Sequence, residues 1–188
     1  VKNRAPHDCK IEHPSIICVV PSGNFGNLTS GLIAQKMGAP IKGFVAATNA
    51  NRTIPDWIAT GEYNPRPSVA TLSNAMDVGA PSNYERISAM YTLDEIRNLF
   101  GSYWLDDKGT ANAIKECNSR TGYIIDPHGA VGYQAWNDIR KDSLVKLSQG
   151  EKNPIELPGL TPNLPSWAED VINKQVVGII LETAHPAK

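Results

Sequence analysis

The sequence predicts an α/β fold, a partly parallel sheet with flanking helices, and three observations carry that expectation. The runs IICVV at 16–20 and VVGIIL at 176–181 are short, apolar and rich in β-branched residues, the pattern of strands buried on both faces. Between 15 and 49 the chain reads strand, glycine loop, helix-like segment, strand, which is the βαβ unit of a parallel sheet. Further on, helix-start signals recur before apolar segments of helical period.

Taken in order, the first strand is Ile16–Val20. LTSGLIAQKMG follows, with Leu28, Leu32 and Ile33 near helical spacing and Gly38 as the expected C-terminal stop. IKGFVAATN (41–49) reads as the second strand. From 50 to 81 the chain is rich in Asn, Pro and Gly, so a loop-heavy stretch is expected, with a short helix near Asp56–Thr60. SNYE (82–85) and TLDE (92–95) both match the capping box, in which a hydroxyl and a glutamate satisfy each other's backbone amides. The second of these helices carries Leu93, Ile96, Leu99 and Phe100 on one face and is expected to stop at Gly101.

A further helix is expected over Thr110–Cys117 and a short strand at Tyr123–Ile125. DPHGAVGYQAWNDIRK then opens a helix, with Asp126 as cap and Pro127 in the first turn. SQGEKNPIELPGLTPNLPS (148–166) reads as an ordered loop or inserted excursion, and VVGIIL as a last, buried strand. The chain is thus organised as one α/β unit over 1–188: a strand–loop–helix–strand segment at 15–49, a loop-rich and helical middle at 50–120, and a C-terminal part at 121–188.

Composition narrows the function classes. The 188 residues are 41% hydrophobic and 20% charged, which suits a packed domain rather than a disordered chain. A net charge of −1 argues against a nucleic-acid or anionic-membrane surface, both of which need a basic excess. No apolar run has the length of a membrane span, and the N-terminal stretch has no signal-peptide core. Cys9, Cys18 and Cys117 lie at no metal or redox spacing, the four histidines are scattered, and no metal site is expected.

The stretch VPSGNFGN at 20–27 is where chemistry is expected. It stands at the carboxyl end of the first strand and the start of a helix, where open α/β sheets collect ligands. Free N–H groups at a helix start attract anions, and Gly23 and Gly26 allow close approach of backbone to ligand. Ser22 and the two asparagines could add neutral donors. The Gly-Lys-Ser/Thr ending of a Walker loop is missing, since the matching residues are Gly26-Asn27-Leu28, and the spacing is wrong for GxGxxG. A neutral cradle suits a phosphate used as a handle better than a phosphate being transferred. Taken by itself, such a loop is more often a plain turn between strand and helix.

Several stretches together resemble the threonine synthases, pyridoxal 5'-phosphate (PLP) enzymes of fold type II. They are VPSGNFGN (20–27), FVAATNAN (44–51), PSVATLSNAMDVG (67–79) with PSNYERI after it, DPHGAVGY (126–133) and ETAHPAK (182–188). The resemblance implies the later half of a fold type II PLP-binding domain. It implies that Ser22, Gly23, Asn24, Phe25, Gly26 and Asn27 hold the cofactor phosphate and that Thr183 meets the pyridine nitrogen. His128 and His185 are weaker candidates: a histidine in the first turn of a helix more often satisfies local backbone, and Pro186 beside His185 suggests a structural turn equally well. Asn49, Asn51, Asn74 and Asp77 either face the site or hold loops together, and Arg52 is not taken as a phosphate ligand.

In that family a lysine in a Ser-Phe-Lys-Asp-like stretch carries the cofactor, upstream of the phosphate loop. No such stretch occurs here: only Lys2 and Lys10 precede Ser22, and Lys188 belongs to the different motif HPAK. No catalytic residue is therefore assigned. The chain is expected to be part of a larger enzyme, inactive alone, with the missing N-terminal part as its partner and an amino-acid phosphate as substrate. The family's distribution implies a cytoplasmic location, or a plastid one for a plant sequence. Two other readings stay open: a threonine-synthase-like phospholyase, and a non-catalytic module that binds PLP or phosphate.

Overall fold

Strands β1 (Ser15–Pro21), β2 (Ile41–Thr48), β3 (Phe100–Trp104) and β4 (Val176–Ile180) form one sheet in the order β3-β2-β1-β4. All its pairings are parallel, with Cys18 opposite both Phe44 and Ile179, and Val45 opposite Gly101. This computed structural model describes residues 14–149, 165, 167–172 and 176–181. The α/β class expected from the sequence is the class observed.

Side chains alternate across the sheet and build a core on each face. On one side Val20, Phe44, Ala46 and Phe100 meet Leu28 and Leu32 of helix α1 (Gly26–Lys36), together with Ile54 and Trp57 of α2 (Thr53–Thr60). Ile87 of α3 (Tyr84–Met90) and Ile96 of α4 (Leu93–Leu99) complete that layer. On the other side Ile17, Val19, Val45, Ala47 and Tyr103 meet Val131, Ala135 and Ile139 of α6 (Pro127–Gln149). Trp167 and Ala168, where α7 (Ala168–Ile172) begins, close this second layer. Each fully buried aliphatic or Phe side chain contributes about 1.5–3 kcal/mol. Helix α5 (Asp107–Thr121) packs beside α6 through Ala113, Cys117, Ile125 and Ala130.

Several local expectations are corrected. The α4 helix ends at Leu99, and Phe100 opens strand β3 instead of completing a helical face. Ser82 does not cap α3: the helix starts after Asn83 with no side-chain cap, because the Ser82 hydroxyl donates to Asn24 Oδ1 at 3.0 Å. Tyr123–Ile125 is not a strand; it links α5 to α6 with Ile124 exposed. Ile33 is 45% exposed, because the α1 stripe facing the sheet is narrower than its apolar pattern. Among the described strands β4 lies at the end of the sheet order, and its Val177 and Ile179 are exposed instead of buried. Helix α5 is longer than expected because Asp106 accepts from Gly109 N and starts it early, and it runs on to Gly122.

Other expectations hold. Gly38 follows α1 with φ +101°, a conformation that L side chains rarely adopt. Asp126 caps α6 by accepting the N–H groups of His128 (2.8 Å) and Gly129 (3.3 Å), ahead of Pro127 in the first turn. Burial raises the Cys18 thiol pKa, as fits a structural thiol in a strand. Most of 148–166, and Cys9, Thr183 and His185, lie outside the described residues. Among the described residues no helix is long and apolar enough to cross a membrane.

The TLDE capping box is present in full. Thr92 N–H donates to Glu95 Oε2 at 2.7 Å, and Glu95 N–H donates back to the Thr92 hydroxyl at 3.3 Å. The Thr92 backbone and hydroxyl hydrogen bonds hold the Glu95 carboxyl below its ordinary pKa. A depressed carboxylate pKa contributes stability that is complete above the unfolded value and lost as pH falls through the folded one. Glu95→Ala is therefore expected to be less stable than wild type at neutral pH, with the deficit shrinking in acid. Urea melts of both proteins at the two pH values check this, and a deficit that grows in acid would contradict it.

Candidate functional site

β1 runs out at Pro21, and Ser22 is tied down there: its N–H donates to Ala47 O at 2.8 Å and its hydroxyl to Val20 O at 2.9 Å. With both protons engaged, Ser22 is a buried anchor of the loop and not the extra donor expected. Phe25 then takes the left-handed conformation, φ 62° and ψ 20°, and α1 starts at the next residue. Such a backbone costs a non-glycine residue about 1–2 kcal/mol. Burial of the Phe25 ring in the first core layer offsets it, and the Phe25 carbonyl also accepts the Thr29 N–H and hydroxyl.

The turn leaves the backbone N–H groups of residues 23–28 with no acceptor among the described residues. Those of residues 23–27 border a cavity of about 260 Å³ lined by residues 21–27, the 3₁₀ turn Asn74–Met76, and His128. Among the described residues no Asp, Glu, Lys or Arg lines it, and the first turn of α1 carries no acidic residue. Unpaired amides at a helix start, without a carboxylate among them, fit an anion and repel a metal ion. No cluster of metal-binding side chains occurs among the described residues.

The loop is braced from two directions. Asn24 Oδ1 accepts the Ser82 N–H (2.7 Å), and Asn24 O accepts from Asn83 Nδ2 (2.7 Å). On the other side a β-carbon built on Gly23 would lie 2.6 Å from the Met76 Cα and 3.1 Å from the Ala75 carbonyl oxygen. Gly23 is thus required by the close approach of the 74–76 backbone. That turn hangs from His128, whose Nε2 accepts the Ala75 N–H at 3.2 Å. An accepting Nε2 puts the ring proton on Nδ1, which lies 2.7 Å from Asp126 Oδ1.

The other polar candidates build the wall. Asp77 Oδ1 accepts from Asn49 Nδ2 (2.8 Å), Asn51 Nδ2 (3.2 Å) and the Thr71 hydroxyl (2.7 Å), while Oδ2 accepts the Thr71 N–H (3.0 Å). Asn51 also receives the Val69 N–H at 2.7 Å. Asn49, Asn51 and Asp77 therefore fasten segment 69–77 to the end of β2, whereas Asn74 borders the cavity. Arg52 lies 4.7 Å over the Trp104 ring and 3.4 Å from Asp56, away from the cradle. Ala75 and Met76 were not singled out by sequence reasoning, since nothing in their side chains marks a contact made by backbone.

A parallel sheet with an anion cradle between its central strand and the next helix is the architecture of the fold type II pyridoxal-phosphate enzymes. A PLP-bound threonine synthase structure from Brucella melitensis shares the fold with a TM-score of 0.61 at 24% identity, covering 87% of this chain and 43% of that one. The chain belongs to the threonine synthase family. The Haemophilus influenzae threonine synthase is 46% identical over 136 residues, which is 71% of this chain and 32% of that protein. The crystal structure of threonine synthase from Escherichia coli matches with a TM-score of 0.61 and 29% identity, over 91% of this chain and 42% of that chain. The chain spans about a third of the length of the curated relatives it matches. No family model matches it.

Proposed function

We propose that these residues form the cofactor-phosphate end of a PLP enzyme that converts O-phospho-L-homoserine and water to L-threonine and phosphate. The observation that carries the proposal is the set of amides at residues 23–27 that have no acceptor among the described residues, around a cavity whose described lining holds no cation and no carboxylate. A phosphate monoester that stays attached throughout a reaction needs holding, not activation, and neutral donors suffice for that. When bound, the pyridoxal ring supplies the electron sink for proton loss next to the substrate amine.

In this reading the amides of Gly23, Asn24, Phe25, Gly26 and Asn27 fix the phosphate. Ser22 anchors the loop from below, and Thr183, by family resemblance, meets the pyridine nitrogen with a neutral hydroxyl. The cofactor-bearing lysine comes from protein outside these residues, because no Ser-Phe-Lys-Asp-like stretch occurs among them. That remaining part of the enzyme is the partner of this chain, and a cytoplasmic location belongs to the same proposal.

The test is product analysis with the full-length protein and O-phospho-L-homoserine. Threonine and inorganic phosphate in equal amounts are expected. Phosphate with a keto acid and no threonine would instead identify a phospholyase. Binding of PLP without release of phosphate would identify a non-catalytic module.

A further inference from the structure

We infer that His128 is a positioning residue for the cofactor phosphate, acting through its Nε2 lone pair on the backbone of the 74–76 turn; this rests on the cradle reading above. The contacts run as a chain across the molecule. Asp126, 2% exposed, accepts both the backbone N–H of His128 at 2.8 Å and its Nδ1–H at 2.7 Å. That fixes the ring and leaves Nε2 as an acceptor, which the Ala75 N–H fills at 3.2 Å. The next residue, Met76, lies against Gly23 so closely that a β-carbon there would sit 2.6 Å away.

Gly23 is the first residue of the loop whose amide has no acceptor among the described residues, so the placement of Met76 sets where the cradle begins. His128 is 6% exposed and borders the cavity, yet both ring nitrogens are engaged by the protein. It therefore has no free nitrogen for an anion, and its part is to hold the opposite wall. Loss of the acceptor would strand the Ala75 N–H and let the turn move off Gly23.

Two substitutions separate the ring nitrogens. Gln places its side-chain oxygen near the position of Nε2 and keeps an acceptor there, whereas Asn reaches only as far as Nδ1 and keeps the donor to Asp126. In the full-length protein, affinity is read as the rise in melting midpoint with inorganic phosphate, and separately with PLP and with pyridoxal, which lacks the phosphate. His128→Asn is expected to bind phosphate and PLP about tenfold more weakly, equivalent to about 1.4 kcal/mol, with pyridoxal unaffected. His128→Gln is expected to stay within about threefold of wild type.

Wild-type affinity in His128→Asn would overturn the inference. Equal losses for pyridoxal and PLP, or equal losses in the Asn and Gln variants, would also overturn it, because a merely structural role predicts them. Failure of the wild-type protein to respond to phosphate or PLP would overturn the cradle reading itself, and the inference with it.

Discussion

Gly23→Ala is expected to lose at least tenfold in affinity for PLP and to be destabilised by about 1–3 kcal/mol. The added methyl would meet the Met76 Cα at 2.6 Å and the Ala75 carbonyl oxygen at 3.1 Å. Both neighbours are backbone, so no side-chain rotation relieves the clash, and either the loop or the 74–76 turn must shift. A shift of either one displaces the amides from the phosphate. Gly26→Ala is the control, because its methyl would meet only Asn83 Nδ2 at 3.9 Å. Its fold stability should stay within about 1 kcal/mol of wild type. Urea denaturation and PLP titration of both variants check the pair. A Gly23→Ala protein as stable and as tight-binding as wild type would remove the case for the close approach.

Asp77→Ala is the second large effect, on the order of 3 kcal/mol, since one carboxylate is removed from several donors that are partly or wholly buried. Asn49, Asn51 and both the amide and hydroxyl of Thr71 converge on it. Asp77→Asn should be intermediate: one oxygen still accepts, but an NH₂ group then faces either Thr71 N–H or the amide donors. Because the fastened segment contains Ala75 and Met76, affinity for phosphate should fall along with stability. A change of less than about 0.5 kcal/mol in Asp77→Ala would show that the network is not what holds the loop.

Much of this was legible in the sequence, and what escaped it has physical reasons. β1, β2 and β4 announced themselves as apolar runs, and the cradle as a Gly/Asn loop at a strand end. β3 did not, because FGSYW has no apolar run and Phe100 continues the helical spacing of Leu93, Ile96 and Leu99. Ser82 carried a sound capping signal, yet Asn24, far away in sequence, claimed its hydroxyl. The triad Tyr123–Ile125 had strand-like side chains, but it is not among the strands of the described sheet. His128 was visible as a candidate, while its partner was invisible, because an alanine N–H has no signature in a sequence. Local chemistry was readable; contacts between distant backbone segments were not.

The pairing of β1 with β4 has a consequence in time. β1 is an interior strand of the described sheet, but its two neighbours are made far apart: β2 follows within one helix, and β4 lies roughly 150 residues later. At a synthesis rate of about 5–20 residues per second, that interval is on the order of 10–30 seconds. Over that interval, of the two described neighbours of the strand that ends in the cradle, only β2 has been made, and the row of amides and carbonyls that β4 will pair still lacks it. One flank of the strand beneath the cradle is therefore supplied by a segment synthesised well after the cradle residues themselves.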